Sequence, residues 1–309
     1  MSGIILLGDR ACYGGHVRSE IDEAIRLLKC GDPESMEKAV ALLQDSVFSF
    51  SMRVCNQRED AEDTMQEVLL KSVPVFSRFE NARALAVWLY KVAKSRCLMT
   101  RRKSKFAPKE ELSLDELMPD RIELAALAKS GSVNPEAFAI HGQEAAWLRE
   151  AVQKLPPDHR IILVLRDMEG LSDDEVAEIT GLRAGTVRVR LHRARLFVRK
   201  EISKRLRVGK AAPAESSARQ AEPIRPANCK AMFAELSNYL DEQLDDSMCT
   251  ELEKHMDGCE PCKAFLSSLE NTILALRQSG TESSDPQRRR KIREHILARY
   301  KNAMPNIAQ

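Results

Sequence analysis

Apolar residues recur along this chain at the spacing of helices rather than strands. The first periodic stretch covers Ser19–Lys29 and breaks at the Cys30-Gly31-Asp32-Pro33 turn. A second helix is predicted from Glu34 to about Val54, burying Ala39, Leu42, Leu43, Val47 and Phe50. After Pro74, the run Val75–Tyr90 holds Phe76, Phe79, Trp88 and Tyr90. From Glu136 the apolar positions continue through Trp147, Leu148, Val152 and Leu155, until Pro156-Pro157 stops the helix and Asp158 can cap the next, Ile161–Met168. Ser172 and Glu175 form a capping box for a helix over Asp173–Thr180, and Gly181 supplies the left-handed turn that ends it. Val187, Leu191, Ala194 and Val198 make the inward stripe of the helix that follows. β-branched runs bounded by turns are few, so the predicted class is all-α.

Composition narrows the classes. The chain has 309 residues, enough for two or three domains, and its net charge of +2 conceals strong segregation. The apolar run Ile4–Leu7 is too short for a signal-peptide core, and no 18-residue apolar segment exists, so a cytoplasmic protein is expected. Eight cysteines without a secretory signal then predict free thiols and a metal site rather than a disulfide framework. No Ser/His/Asp set, phosphate loop or catalytic zinc spacing is present, so an enzyme is not expected.

Local charge points to nucleic acid. Between Arg183 and Lys210 there are 11 Lys or Arg residues and one acid, Glu201. Arg188, His192, Arg195 and Arg199 line a stripe parallel to the apolar one, which with the glycine turn suits a helix-turn-helix entering a major groove. A solvated surface helix would explain each arginine singly, but not the cap, turn and one-sided charge together. Lys91–Lys109 carries eight Lys or Arg and no acid beside the aromatic run, a combination that suits single-stranded nucleic acid. Phe76 is expected in the core, whereas Trp88 fits either core or stacking platform. By contrast, residues 59–67 hold five acids and no base, which either favour a helix start or form a docking surface for a basic partner.

Two stretches resemble a known family. DAEDTMQEVLLKSVPVFSRF…VWLYKVAKSRCLMTRRK is similar to the sigma-two domain of extracytoplasmic-function sigma factors of bacterial RNA polymerase. LPPDHRIILVLRDMEGLSDDEVAEITGLRAGTVRVRLHRAR is similar to their sigma-four domain. The resemblance covers most of residues 20–205 in the family's order. It implies that Asp60, Glu62, Asp63, Gln66 and Glu67 dock on the clamp helices of the polymerase beta-prime subunit. It also implies that the Phe79–Trp88 loop and the next helix, with Trp88, Arg96, Arg101 and Arg102, melt and read the minus-ten element. Ser95 and Met99 stand where the family usually has Asn and Asp, so the resemblance leaves the identity of the preferred minus-ten bases open. Arg188, Val189, His192 and Arg193 match positions facing minus-thirty-five bases, and Arg190, Arg195 and Arg199 are assigned to phosphates. An arginine bidentate to guanine discriminates by about 1–3 kcal/mol, whereas a phosphate contact strengthens all sequences alike.

The chain continues past that family. Arg207–Asn228 reads as a flexible tether rich in Ala, Pro, Ser and Glu. Beyond it, His255 and Cys259 share a helix face at i, i+4, and Cys262 follows in a Cys-x-x-Cys turn whose Pro261 helps stop the helix. Cysteine-rich ligation at this spacing favours tetrahedral zinc. Cys229 is the preferred fourth ligand, because Cys249 lies six residues before His255, about 240° around a continuous helix. The pattern Cys229…Tyr239-Leu240-Asp241…His255-x-x-x-Cys259-x-x-Cys262 resembles a zinc-binding anti-sigma domain, implying docking on the sigma domains of the same chain. Between Glu235 and Glu260 nine acids stand against Lys254 as the only Lys or Arg, so this segment complements the basic surfaces. The tail Ser284–Gln309 predicts a further helix with RRRK at 288–291, either packed on the sigma domains or solvated.

The expected organisation is therefore a leader (1–18), a sigma-two-like domain (19–103), a linker (104–135) and a sigma-four-like domain (136–206). A tether (207–228), a zinc-binding domain (229–280) and a basic helix or tail (281–309) complete it. The expected function is a transcription initiation factor with a built-in regulatory domain that senses metal or redox state. The alternative is a helix-turn-helix regulator that never engages polymerase.

Overall fold

The computed structural model describes residues 15–55, 57–102, 112–119, 123–124, 142–208, 229–280 and 284–303. Among them every regular element is a helix. Most of the leader, most of the 104–135 linker and nearly all of the tether lie outside the described residues, as do the side chains of Arg101, Arg102 and Cys229. The chain forms two compact units: Met1–Ala107 with Val164–Leu182 and Gly280–Gln309, and Pro108–Leu163 with Arg183–Ser279.

In the first unit, α1 (Gly15–Cys30) and α2 (Pro33–Cys55) form an antiparallel pair joined at Gly31, whose φ of 77° is left-handed. Helices α3 (Arg58–Ser72) and α4 (Ala82–Arg102), linked by the 3-10 turn Val73–Arg78, complete a bundle. Leu43, Val47, Phe48, Met65, Val68 and Leu85 have no exposed surface. Phe50 and Tyr90 meet at 4.9 Å between ring centroids. Phe76 is buried, as expected.

The helix expected over Ile161–Met168 instead divides into α7 (Pro157–Leu163), which ends in the second unit, and a π-turn, Val164–Met168, in the first. Just after that turn, the Glu169 carboxylate accepts from Arg53 at 2.8 Å and from the Tyr90 hydroxyl at 2.7 Å. The widened turn falls where these tertiary bonds hold the next residue. Burial raises the Glu169 carboxyl above its ordinary value, and Arg53 opposes the rise. Burial, followed by the Glu169 charge, pushes Tyr90 well upward.

Helix α8 (Asp173–Thr180) carries the expected capping box, and Gly181 closes it at φ 76°. It lies on α4: Lys94 Nζ donates to the Ile179 carbonyl at 2.5 Å, a cation at a helix C-terminus. The tail forms α13 (Pro286–Ala303), which packs on α2, α3 and the 3-10 turn and buries Ile292 and Ile296.

The second unit is organised around α9 (Ala184–Val208). The expected stripe Val187, Leu191, Ala194 and Val198 is buried, and α9 packs against α6 (Gly142–Lys154) and α7. It also contacts the short α5 (Leu114–Leu117), α10 (Cys229–Leu240) and α12 (Glu260–Gln278). Between the last two lies α11 (Asp246–Asp257), capped by Asp245. Phe233 and Phe265 join α10 to α12 edge-to-face, 4.7 Å apart.

The expectation of thiols and a metal site rather than disulfides holds only in part: among the described residues Cys30, Cys249, Cys259 and Cys262 carry no disulfide, but one other pair is bonded. Cys55 and Cys97 form a disulfide between α2 and α4. The residues lie 42 apart in sequence, and only the folding of α4 back onto α2 brings them together. Pro261 also acts differently from expected: it sits in the first turn of α12 and starts that helix, while Gly258 ends α11.

Candidate nucleic-acid interfaces and metal centre

The basic stripe of α9 has the expected helical geometry but not the expected exposure. Arg188 is exposed, and Val189 retains 51% of its surface. Arg193 is half-buried, and Arg190 pairs with Asp158 at 3.5 Å. His192, Arg195 and Arg199 are instead enclosed by the C-terminal helices of the same unit.

His192 Nδ1 and the Ser237 hydroxyl of α10 are 2.7 Å apart. Burial, followed by the charges of Arg195 and Arg193, lowers this imidazole from 6.5 to about 4. Arg195, with no exposed surface, donates both fork nitrogens to the Asp241 carboxylate at 2.7 and 3.1 Å. Arg277 approaches the same carboxylate at 3.6 Å. The Arg199 guanidinium lies 4.0 Å over the Phe265 ring, pairs with Glu123, and reaches the Ser268 hydroxyl at 3.5 Å. Ser237, Phe265, Ser268 and Glu123 carried no readable signal. Asp241 belongs to the Tyr239-Leu240-Asp241 motif, but nothing in the local sequence joins it to Arg195.

In the first unit, the acidic side chains of α3 are largely paired. Glu62, 3% exposed, pairs with Arg58 at 3.2 Å and with Arg288 of α13 at 2.6 Å. Arg288 also reaches the exposed Asp63 at 3.3 Å. Glu67 pairs with Lys71 at 2.7 Å and Arg96 at 2.9 Å. Gln66 is half-buried beside it, and Asp60 is half-buried one turn earlier. Two more α13 arginines bind α2: Arg289 to Asp45 at 2.7 Å, and Arg293 to Glu37 at 3.6 Å. Helix α13 of the basic tail is therefore packed on the first unit, while Arg290 and Lys291 stay exposed. Trp88 is half-buried and tilts against Phe79 at 5.8 Å, while Met99 is exposed.

His255 lies in the last turn of α11, Cys259 caps α12 and Cys262 lies in its first turn, so one junction supplies three ligands. Their ligand atoms all lie within 4.8 Å of one another, and His255 Nε2 is 3.4 Å from Cys262 Sγ. Two soft sulfurs and an imidazole nitrogen fit a tetrahedral metal. Cys249, whose Sγ lies 3.9 Å from the Leu244 carbonyl, stands outside this cluster. Cys229 begins α10.

Comparison with known proteins matches these parts separately. Residues 39–106 match sigma-70 region 2, residues 145–198 match sigma-70 region 4, and residues 229–263 match a family described as "Putative zinc-finger". The sigma factor SigW of Bacillus subtilis is 26% identical over 182 residues, covering 59% of this chain and 96% of SigW. The sigma-E factor of Escherichia coli is 28% identical over 169 residues, covering 53% of this chain and 85% of that protein. A solved structure of the sigma factor RpoE with the anti-sigma factor NepR from Bartonella quintana aligns at 20% identity over 55% of this chain, with a TM-score of 0.39. The chain thus carries, in order, both domains of the sigma-70-type transcription initiation factors and a zinc-finger-like domain beyond them, and it is similar to factors of the extracytoplasmic-function kind. A helix-turn-helix regulator independent of polymerase does not account for the region 2 match.

Proposed function

We propose that this sigma factor is held closed by its own C-terminal segment, and that opening frees its polymerase-binding and promoter-reading surfaces. It acts by binding rather than catalysis. The observation that carries the reading is Arg195: an α9 residue assigned by resemblance to promoter phosphate is instead fully buried against Asp241. Buried Arg–carboxylate and Arg–phosphate pairs use the same fork, so the occupied state excludes the DNA contact. His192 and Arg199, engaged with Ser237 and Phe265, support the same occlusion of the minus-thirty-five reader.

The acidic α3 surface is closed in parallel. Arg288 holds Glu62 and Asp63, which by resemblance meet the clamp helices of the polymerase beta-prime subunit. Helix α8, from the region 4 match, rests on α4 of the region 2 match, an arrangement suited to a stored rather than a promoter-spanning state. Promoter engagement is assigned to Trp88, Arg96, Arg101 and Arg102 on the minus-ten side, and to Arg188, Val189, His192 and Arg193 on the minus-thirty-five side. Arg190, Arg195 and Arg199 take phosphates once α9 is released.

The junction of His255, Cys259 and Cys262, with Cys229 as the fourth ligand, holds Zn2+ and keeps the α11–α12 corner folded. The metal supplies structure there, because cysteine-rich four-ligand sites leave no position open for substrate. Metal loss or thiolate oxidation unfolds this corner and weakens the clamp on α9. A tether of about 20 residues keeps the local concentration of the inhibitory domain in the millimolar range. A protein acting on bacterial polymerase works in the cytoplasm.

Run-off transcription with core polymerase tests the reading. Deletion of residues 208–309 raises basal transcription. Unchanged or lower activity, with core binding retained, removes the inhibitory role. Absence of core binding by both forms removes the initiation role itself.

A further inference from the structure

We infer that Cys55 and Cys97 are a reversible thiol–disulfide site in the first unit, separate from the cysteines of the metal centre. The disulfide joins the last residue of α2 to α4, and Thr64 Oγ1 of α3 stands 3.9 Å from each sulfur. The pair therefore sits where three helices of the bundle meet. Cys97 directly follows Arg96, which binds Glu67 on α3, so the bond fixes α4 in the midst of its assigned minus-ten residues, between Trp88 and Arg101.

The inference rests on the cytoplasmic setting proposed above. Disulfides in that compartment are ordinarily transient, redox-sensing or catalytic, because glutathione and thioredoxin-type dithiols reduce them. A permanent staple is not sustained there, yet the bundle brings the backbones of α2 and α4 together at this pair, with Cα atoms 5.3 Å apart. The arrangement suits a pair that exists in both states, with Thr64 able to hydrogen-bond either sulfur as a thiol.

The chemistry balances with a peroxide as oxidant. Both cysteines are buried, and Cys55, at the C-terminal end of α2, is assigned the first attack. Its thiolate attacks one peroxide oxygen, giving a sulfenic acid and releasing hydroxide, which takes up a proton. The Cys97 sulfur then displaces the sulfenic hydroxyl, forming the S–S bond and a second water. Two thiols and one hydrogen peroxide thus become one disulfide and two waters. A dithiol reductant reverses this through a mixed disulfide, returning both protons to the cysteines and becoming oxidised itself.

Peptide-resolved mass spectrometry on the full-length chain tests the inference without disturbing the metal ligands. After reduction with dithiothreitol, both cysteines take up an alkylating reagent. After one equivalent of hydrogen peroxide, a linked Cys55–Cys97 peptide appears, two mass units lighter than the sum, and dithiothreitol removes it. In Cys97→Ala the intermediate cannot resolve, and Cys55 is labelled by a sulfenic-acid reagent. Reduction of the wild type lowers its Tm by on the order of 10 °C, an effect Cys55→Ala/Cys97→Ala abolishes. The inference fails if the linked peptide does not form after peroxide, if it survives dithiothreitol on the folded protein, or if either cysteine couples elsewhere instead. These outcomes are read from the peptides themselves, so a failure of polymerase binding leaves them interpretable.

Discussion

Arg195 of α9 and Asp241, just past the end of α10, form a two-pronged ion pair at 2.7 and 3.1 Å, with the guanidinium fully enclosed. Removing two charges from water costs several kcal/mol per ion, recovered only when the geometry is good on both sides. The pair therefore acts less as glue than as a condition. Either Arg195 has a carboxylate or phosphate in its fork, or the surface must open to water.

Asp241→Ala leaves Arg195 buried without its main counter-charge. Loss of one partner of such a pair costs about 3–5 kcal/mol, more than a hundredfold in the docking equilibrium. Limited proteolysis of the 207–228 tether and helices α10–α12 is expected to accelerate, and run-off transcription to rise. Proteolysis and transcription like those of the parent would show that the pair does not hold the clamp.

Acid should loosen the same contact. Docked His192 titrates at about 4 and a free imidazole near 6.5, so the docked state favours the neutral ring. The stabilisation is complete above the free value and is lost as pH falls through the window between the two. Between about pH 7 and pH 5.5 the loss is roughly 1 kcal/mol. His192→Gln, which keeps a hydrogen-bonding side chain without titrating there, should flatten that part of the Tm–pH profile. An unchanged slope would assign the pH dependence to other groups.

Arg288→Glu converts two attractive contacts, to Glu62 and Asp63, into repulsive ones. Because Glu62 is buried, the expected cost to α13 docking is about 2 kcal/mol. Core polymerase affinity, measured by fluorescence anisotropy, should increase by about tenfold or more. Equal affinity would mean that α13 and polymerase do not compete for α3.

Chelation addresses the junction of α11 and α12. Metal binding in small zinc domains supplies about 10–16 kcal/mol of apparent folding free energy, so its removal should melt this corner. Exhaustive treatment with a zinc chelator is expected to release one equivalent of metal and reduce helical circular dichroism. Cys249→Ser should leave metal content unchanged, since its sulfur stands apart from the cluster. Loss of metal in that variant would require a different fourth ligand.

Local signals were legible wherever both partners lay within one or two turns. The Ser172–Glu175 box and the left-handed Gly181 appear as read, because capping and positive φ depend on neighbours along the chain. The His255–Cys259–Cys262 cluster was legible for the same reason. Cys55 and Cys97 were not, because each is a small residue in an apolar pattern and nothing in either segment specifies the other. Similarly, the acids of α3 read as a docking surface, and only the packed α13 reveals that Arg288 occupies part of it.

The sequence by itself determined most of the helices, the inward stripe of α9, the segregation of charge and the ligand spacing of the metal site. It also determined that α9 carries a basic stripe. Tertiary structure alone decided what that stripe meets. Arg195 finds its carboxylate 46 residues away, Arg199 its partner 76 residues away and His192 its hydroxyl 45 residues away. A guanidinium fork fits phosphate and carboxylate equally well, so no local pattern distinguishes an arginine waiting for DNA from one already held by its own chain.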